Sequence, residues 1–363
     1  MFKRMLVPLD GSAGAERAIP VAARIARASG GTIVSVRVVP STNEVGMYAS
    51  AANESTTIPP SAFEKDLAGA ASYLADTIAA YAGDLTGIAT EMDLGAGGAS
   101  PTIFSTARFE HVDLIVMCSH GETGLKRWVF GSVAQQAVRR SPVLVLVLNE
   151  HGMTFPAQDA AYPLRVLVAL DGSALSETAL EPAAQLIAAL AAPAWGALHL
   201  LRVVDLPALY GMMRSQEHIG ETIQEEARRE AETYVKAVAD RLRAGPLAGT
   251  KHTITSSVAV STDVAGTIIK LAEQAEGHEN LSSYDLIVIA THGRSGLRRL
   301  VMGSVTEHVL DATKLPLLIV HSCPPNRDQS LGGTAPHETE TEPEGTNEIM
   351  KAETEVQTWV GLL

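Results

Sequence analysis

The chain has 363 residues, 46% of them apolar and 4% aromatic, with a formal net charge of −13. Apolar content at this level fills more than one core, and ordinary glycine and proline usage excludes wholesale disorder and collagen-like repetition. The acidic balance and the shortage of stacking side chains argue against a nucleic-acid partner.

Short continuous apolar runs, of the kind buried on both faces of a parallel sheet, alternate with helical periodicity along the chain. Met5–Leu9 predicts a first strand, Ala15–Ala28 a helix and Thr32–Val39 a second strand. An irregular stretch, a long helix over Ala62–Tyr81, a weaker strand over Ala89–Leu94 and a further helix follow. Leu114–Cys118 predicts the fourth strand, then come a glycine-rich turn, a helix over Val133–Arg140 and a fifth strand over Val143–Leu148. Gly152, Pro156 and Pro163 interrupt any periodicity between His151 and Pro163, which reads as a linker. The same order then returns. Strands are expected over Val166–Leu170, Ala197–Val204, Thr253–Val260, Leu286–Ala290 and Leu317–Val320, with helices over Ser176–Leu190 and Gln216–Arg243 among them. From Pro324 onward eight acidic residues stand against two basic ones, the composition of a solvated, disordered tail. Alternating strands and helices imply an α/β fold, a parallel sheet with helices on both faces.

The return is an internal repeat in sequence as well as in pattern. Arg4–Ala13 reads RMLVPLDGSA and Arg165–Ala174 reads RVLVALDGSA; Asp113–Val133 reads DLIVMCSHGETGLKRWVFGSV and Asp285–Val305 reads DLIVIATHGRSGLRRLVMGSV. A repeat this long is a domain duplication rather than a solenoid. The expected organisation is a domain over residues 1–149, a linker over 150–163, a second domain over 164–323 and the tail over 324–363. Two cysteines, Cys118 and Cys323, neither in a C-x-x-C pair, fit a reducing cytoplasm better than a disulfide or zinc framework. The apolar run after Met1-Phe2-Lys3-Arg4 is broken by Asp10, too early for a signal segment. The longer apolar stretch Ala183–Leu201 carries Gln185, Pro193 and His199, so no membrane span is expected.

Chemistry concentrates after the fourth strand of each copy. Gly121, Gly124, Gly131 and Ser132 in the first, and Gly293, Gly296, Gly303 and Ser304 in the second, share the spacing G-x2-G-x6-G-S. Glycines let backbone approach a bulky ligand, and the helix that follows offers free N–H groups and a dipole that favours an anion. The serine hydroxyl either caps that helix or donates to a phosphate oxygen. Asp10-Gly11-Ser12 and Asp171-Gly172-Ser173 end the first strands. If first and fourth strands are neighbours, these turns and the glycine turns line one crevice beyond the carboxyl ends of the strands. No Walker lysine is present; Lys126, Arg127, Arg298 and Arg299 are open to phosphate contact or a solvated helix face. His120 and His292 have no repeated carboxylate beside them in sequence, which favours a place in the turn over acid–base work.

Residues 3–149 and 164–322, through these paired elements, resemble universal stress protein domains, and the chain as a whole resembles a tandem universal stress protein. The resemblance implies an open five-stranded parallel sheet of order 3-2-1-4-5 in each domain, pairing of the domains through their fifth strands, and ATP binding in a stress-response protein. It implies that Asp10 and Asp171 contact the adenine–ribose end and that Val38 and Val203 pack on the base. Gly121, Gly124, Gly131, Ser132, Gly293, Gly296, Gly303 and Ser304 would hold the phosphates, with or without Mg2+. Pro8 matches the residue two before the aspartate, where the second copy has Ala169. With no evident nucleophile or metal cluster, the chain reads as an adenine-nucleotide binding module with little or no turnover. The alternatives are a slow ATPase or autophosphorylating enzyme using Ser132 or Ser304, and a nucleotide-free interaction scaffold. The partners expected are thus the nucleotide and the other domain, with further homo-oligomerisation left open.

Overall fold

The first half contributes strands β1 (Arg4–Pro8), β2 (Thr32–Val39), β3 (Ala89–Ala96), β4 (Leu114–Cys118) and β5 (Leu144–Leu148). The second contributes β6 (Leu164–Leu170), β7 (Gly196–Val204), β8 (Thr253–Val260), β9 (Leu286–Ala290) and β10 (Leu317–Val320). In the computed structural model they form one ten-stranded sheet, ordered β3-β2-β1-β4-β5-β10-β9-β6-β7-β8. The structure describes residues 1–41, 60–119, 131–149, 163–192, 194–205, 217–245, 247–274, 284–291 and 302–321. Most of the linker and the acidic tail therefore lie outside the described residues.

Within each half every strand pair is parallel; β1 lies between β2 and β4, and β6 between β7 and β9. The halves meet where β10 runs antiparallel to β5, with Leu317, Leu318 and Ile319 opposite Val147, Leu146 and Val145. Pairing covers two apolar strands that would otherwise be exposed edges. Arg139 forms an ion pair with Glu307, and His321 Nε2 lies 2.8 Å from the Val138 carbonyl, both across the same boundary.

The continuous apolar runs arise because both faces are covered. Every residue of β4 and β9 is buried. The first half supplies α1 (Ala13–Glu16), α2 (Ala18–Ser29), α3 (Pro60–Ala80), α4 (Ala82–Leu85), α5 (Ala99–Phe109) and α6 (Ser132–Arg140). The second supplies α7 (Ala174–Glu177), α8 (Leu180–Ala191), α9 (Glu217–Ala244), α10 (Val264–Glu273) and α11 (Ser304–Ala312). Met5 and Val7 pack with Ile19 and Ile25 of α2 on one face, while Leu6 packs with Ile103 of α5 and Val138 of α6 on the other. Each fully buried leucine or isoleucine contributes roughly 2 kcal/mol. Gly30, at φ 63, ends α2 in the left-handed conformation.

One expected helix is two in each half. The stretch Ala15–Ala28 breaks at Arg17 into α1 and α2, and Ser176–Leu190 breaks between α7 and α8. Pro20 and Pro182 stand at the third position of the second piece and have no N–H to donate four residues back. The break lets α1 and α7 turn with the Asp-Gly-Ser segments before the long helical run begins.

Candidate functional site

Beyond the carboxyl ends of β1 and β6 the chain turns tightly on an aspartate. Asp10 Oδ1 accepts from the Ser12 N–H at 3.0 Å and from its hydroxyl at 2.6 Å; Ser12 Oγ in turn accepts from the Ala15 N–H at 3.1 Å, capping α1. Asp171 repeats this with Ser173 at 2.9 and 2.6 Å, and Ser173 caps α7 through the Ser176 N–H at 3.1 Å. Gly11 and Gly172 adopt φ of 91° and 85°, a conformation that a residue with a Cβ reaches only with strain. Both aspartates thus close a side-chain turn rather than merely adding charge to a helix start.

Across the switch point, Gly131 and Gly303 are the N-caps of α6 and α11. Their N–H groups donate back to the carbonyls of Ser119 and Thr291, each at 2.8 Å. A Cβ on either glycine would stand 3.2 or 3.3 Å from that carbonyl oxygen, so the close approach favours glycine. Ser132 and Ser304 are the first helical residues, not the caps, and neither N-cap makes a side-chain capping bond. The capping alternative is thereby corrected: the bond back to the strand sets glycine as the cap and leaves the exposed serine hydroxyls outside that role.

In the second half these parts line a cavity of about 300 Å³, within the size range of small-ligand sites. Asp171 and Arg202 border it at the turn, Val203 and Ile268 form an apolar wall, and Gly303 and Ser304 bring the start of α11. Asp171, Val203, Gly303 and Ser304 are therefore together. In the first half Pro8 ends β1, Asp10 follows it, Val38 lies late in the neighbouring β2, and Gly131 and Ser132 open α6 after β4. Gly121, Gly124, Gly293 and Gly296 lie outside the described residues, as do His120, His292, Lys126, Arg127, Arg298 and Arg299.

The structure also brings in residues that motif reading passed over. Arg37 of β2 and Arg202 of β7 lie under the two aspartate turns, and each faces a tyrosine, Tyr73 of α3 or Tyr234 of α9. The signal was available: one arginine interrupts each second strand at the same place, in TIVSVRVV and GALHLLRVV. Burial, helped by the hydrogen bond to Glu16, pushes the Tyr73 phenol up to about 12. Burial also pushes the Cys118 thiol at the end of β4 up to about 12, leaving a protonated, unreactive group. Among the described residues no three His, Cys, Asp or Glu side chains are grouped to hold a metal ion. No described helix is long and apolar enough to cross a membrane.

A family model for the universal stress protein family matches residues 1–149 and again 164–321. The chain belongs to the universal stress protein family. Universal stress proteins of Mycobacterium tuberculosis and Mycobacterium bovis are each 28% identical over 212 residues, 57% of this chain and 61% of theirs. The match thus spans less than two thirds of those relatives. A Bacillus subtilis universal stress protein is 28% identical over 158 residues, 43% of this chain and 97% of its own. Among solved structures, an Archaeoglobus fulgidus universal stress protein superposes with a TM-score of 0.55 at 19% identity, covering 88% of this chain and 98% of its own. A structure described as a universal stress protein from Pseudomonas aeruginosa gives 0.53 at 17% identity, with 88% and 93% covered. These superpositions bear on the fold: a mostly parallel α/β sheet with helices.

Proposed function

We propose that the protein binds adenine nucleotides, ATP foremost, in the crevices beyond the carboxyl ends of β1–β4 and β6–β9. One observation carries the reading: a carboxylate turn, a helix N-terminus and apolar side chains together line the second-half cavity. Each part suits one part of a nucleotide. Ribose hydroxyls donate to Asp171, a base packs on Val203 and Ile268, and phosphates meet the N–H groups and dipole at Gly303 and Ser304. Asp10, Val38, Gly131 and Ser132 take the same roles in the first half, and Pro8, two residues before Asp10 at the end of β1, belongs to the same site. Gly121, Gly124, Gly293 and Gly296 complete the two phosphate cradles, and Mg2+, where present, accompanies the phosphates.

The role is that of a binding module in a stress response, acting in the cytoplasm, with two domains over 1–149 and 164–323. Binding is favoured over turnover because Asp171 already accepts two hydrogen bonds from Ser173, which disfavours its serving as a general base. Denaturing freshly purified protein and resolving the released small molecules by chromatography tests the reading, together with calorimetric titration of ATP and Mg2+. Adenine nucleotide in the extract, or saturable heat on titration, is expected; an empty extract with no heat would overturn it.

A further inference from the structure

The halves repeat an arrangement, half-buried in the first and buried at Arg202 in the second, that nucleotide contact alone does not explain. Arg37 projects from β2 beneath the Asp10 turn. A Cβ on Gly11 would lie 2.8 Å from its Nη1, and its guanidinium faces the Tyr73 ring at 5.3 Å. Tyr73 donates to Glu16 of α1 at 2.9 Å. In the second half a Cβ on Gly172 would lie 3.0 Å from Arg202 Cζ, and Arg202 faces the Tyr234 ring at 5.0 Å. Glu177 of α7 stands where Glu16 stands in α1, and it pairs with Arg241 at 2.6 Å.

An arginine is a costly choice for these places. Arg202 is 8% exposed, and Arg37 Nη1 is buried and has no hydrogen-bond partner among the described residues. A buried, incompletely bonded cation is commonly no more stabilising than an apolar side chain of similar size. What the guanidinium provides is a flat, rigid plate held between a ring and a backbone turn. Glycine allows the chain to pass directly over that plate at positive φ, and the turn then presents the serine N–H to the aspartate. Lysine has the charge without the plane.

We propose that Arg37 and Arg202 are positioning residues that hold the Asp10 and Asp171 turns in ligand-ready geometry. The consequence for affinity rests on the nucleotide reading; the consequence for the turn does not. The test replaces both arginines in the full chain, as Arg37→Met with Arg202→Met and as Arg37→Lys with Arg202→Lys. Each pair is also combined with Asp10→Ala and Asp171→Ala. Three quantities are read: amide exchange at Ser12 and Ser173 in the unliganded protein, thermal midpoint, and ATP affinity.

The methionine pair is expected to speed exchange at Ser12 and Ser173 about tenfold while leaving amides in β1 and β6 unchanged, with no fall in the midpoint. ATP affinity should drop about tenfold, the lysine pair should not restore it, and the drop should vanish in the Asp→Ala background. Unchanged exchange at both serines would overturn the proposal, as would an affinity loss that multiplies with Asp→Ala or follows a lowered midpoint. Should the unmodified chain bind no ATP, the nucleotide reading fails separately, and the exchange measurement still decides for or against the arginines.

Discussion

The Asp-Gly-Ser turn, the arginine beneath it and the glycine that starts the last helix recur in both halves, at 10–12, 37 and 131 and at 171–173, 202 and 303. Their surroundings do not. Cys118 stands where the second half has Ala290, Ala134 where it has Thr306, and Val34 where it has His199. The shared parts are those whose backbone geometry allows few substitutes: positive φ at the turn, close approach at the cap, a planar wedge under the glycine. The parts that differ are packing and polar residues around that frame. What the two halves share is thus a backbone frame, and what they do not share is the packing around it.

Substitutions that remove the shared frame should cost most, and similarly in both halves. Gly172→Val and Gly11→Val each place a branched Cβ against the arginine at positive φ, for a loss of about 4 kcal/mol in denaturant unfolding. A large cost in only one half would break the equivalence.

The next effect belongs to the second half alone. His199 Nδ1 and Nε2 lie 2.8 Å from the hydroxyls of Thr255 and Ser257. Burial, with nearby Arg165 assisting, lowers its pKa from 6.5 to about 4. The unfolded chain therefore binds this proton more readily than the folded one. The stability it contributes is complete above pH 6.5 and is lost as the pH falls toward about 4, up to about 3 kcal/mol. Denaturant midpoints between pH 7 and 4 should show this loss, and His199→Val, which installs the first half's residue type, should remove that share of it.

Smaller differences follow from single bonds. Thr306 Oγ1 donates to the Ala290 carbonyl at 2.9 Å in a buried setting, tying α11 to the end of β9. Thr306→Ala makes the second half like the first there and should cost about 1 kcal/mol by thermal unfolding. Smallest is Arg139→Ala, which removes the half-exposed ion pair with Glu307 across the boundary. Less than about 1 kcal/mol is expected, falling toward nothing in high salt.

Much of the frame was legible in the residues. The apolar runs at Thr32–Val39, Leu114–Cys118, Leu286–Ala290 and Leu317–Val320 coincide with strands, because a strand covered on both faces has no reason to alternate, whereas Thr253–Val260, equally a strand, is the half-exposed edge of the sheet. The split between α1 and α2 was less visible, since both pieces are apolar and periodicity continues across Arg17; the proline at the third position was the cue. The role of Ser132 and Ser304 was ambiguous for a different reason. Serine at a helix start is a common cap, and only the bond from the glycine N–H back to the strand decides between neighbours. Arg37 and Arg202 were passed over because no motif contains them: their place depends on Tyr73 and Tyr234, which are distant in sequence and meet them only in the folded chain.

The most direct test is photo-crosslinking of the full chain with 8-azido-ATP, followed by digestion and mass-spectrometric mapping. The account predicts labelling that unmodified ATP competes away, on the strand end at Val203–Asp205 or on Val264–Ile268 at the cavity wall. Labelling spread over the surface and insensitive to ATP would contradict it.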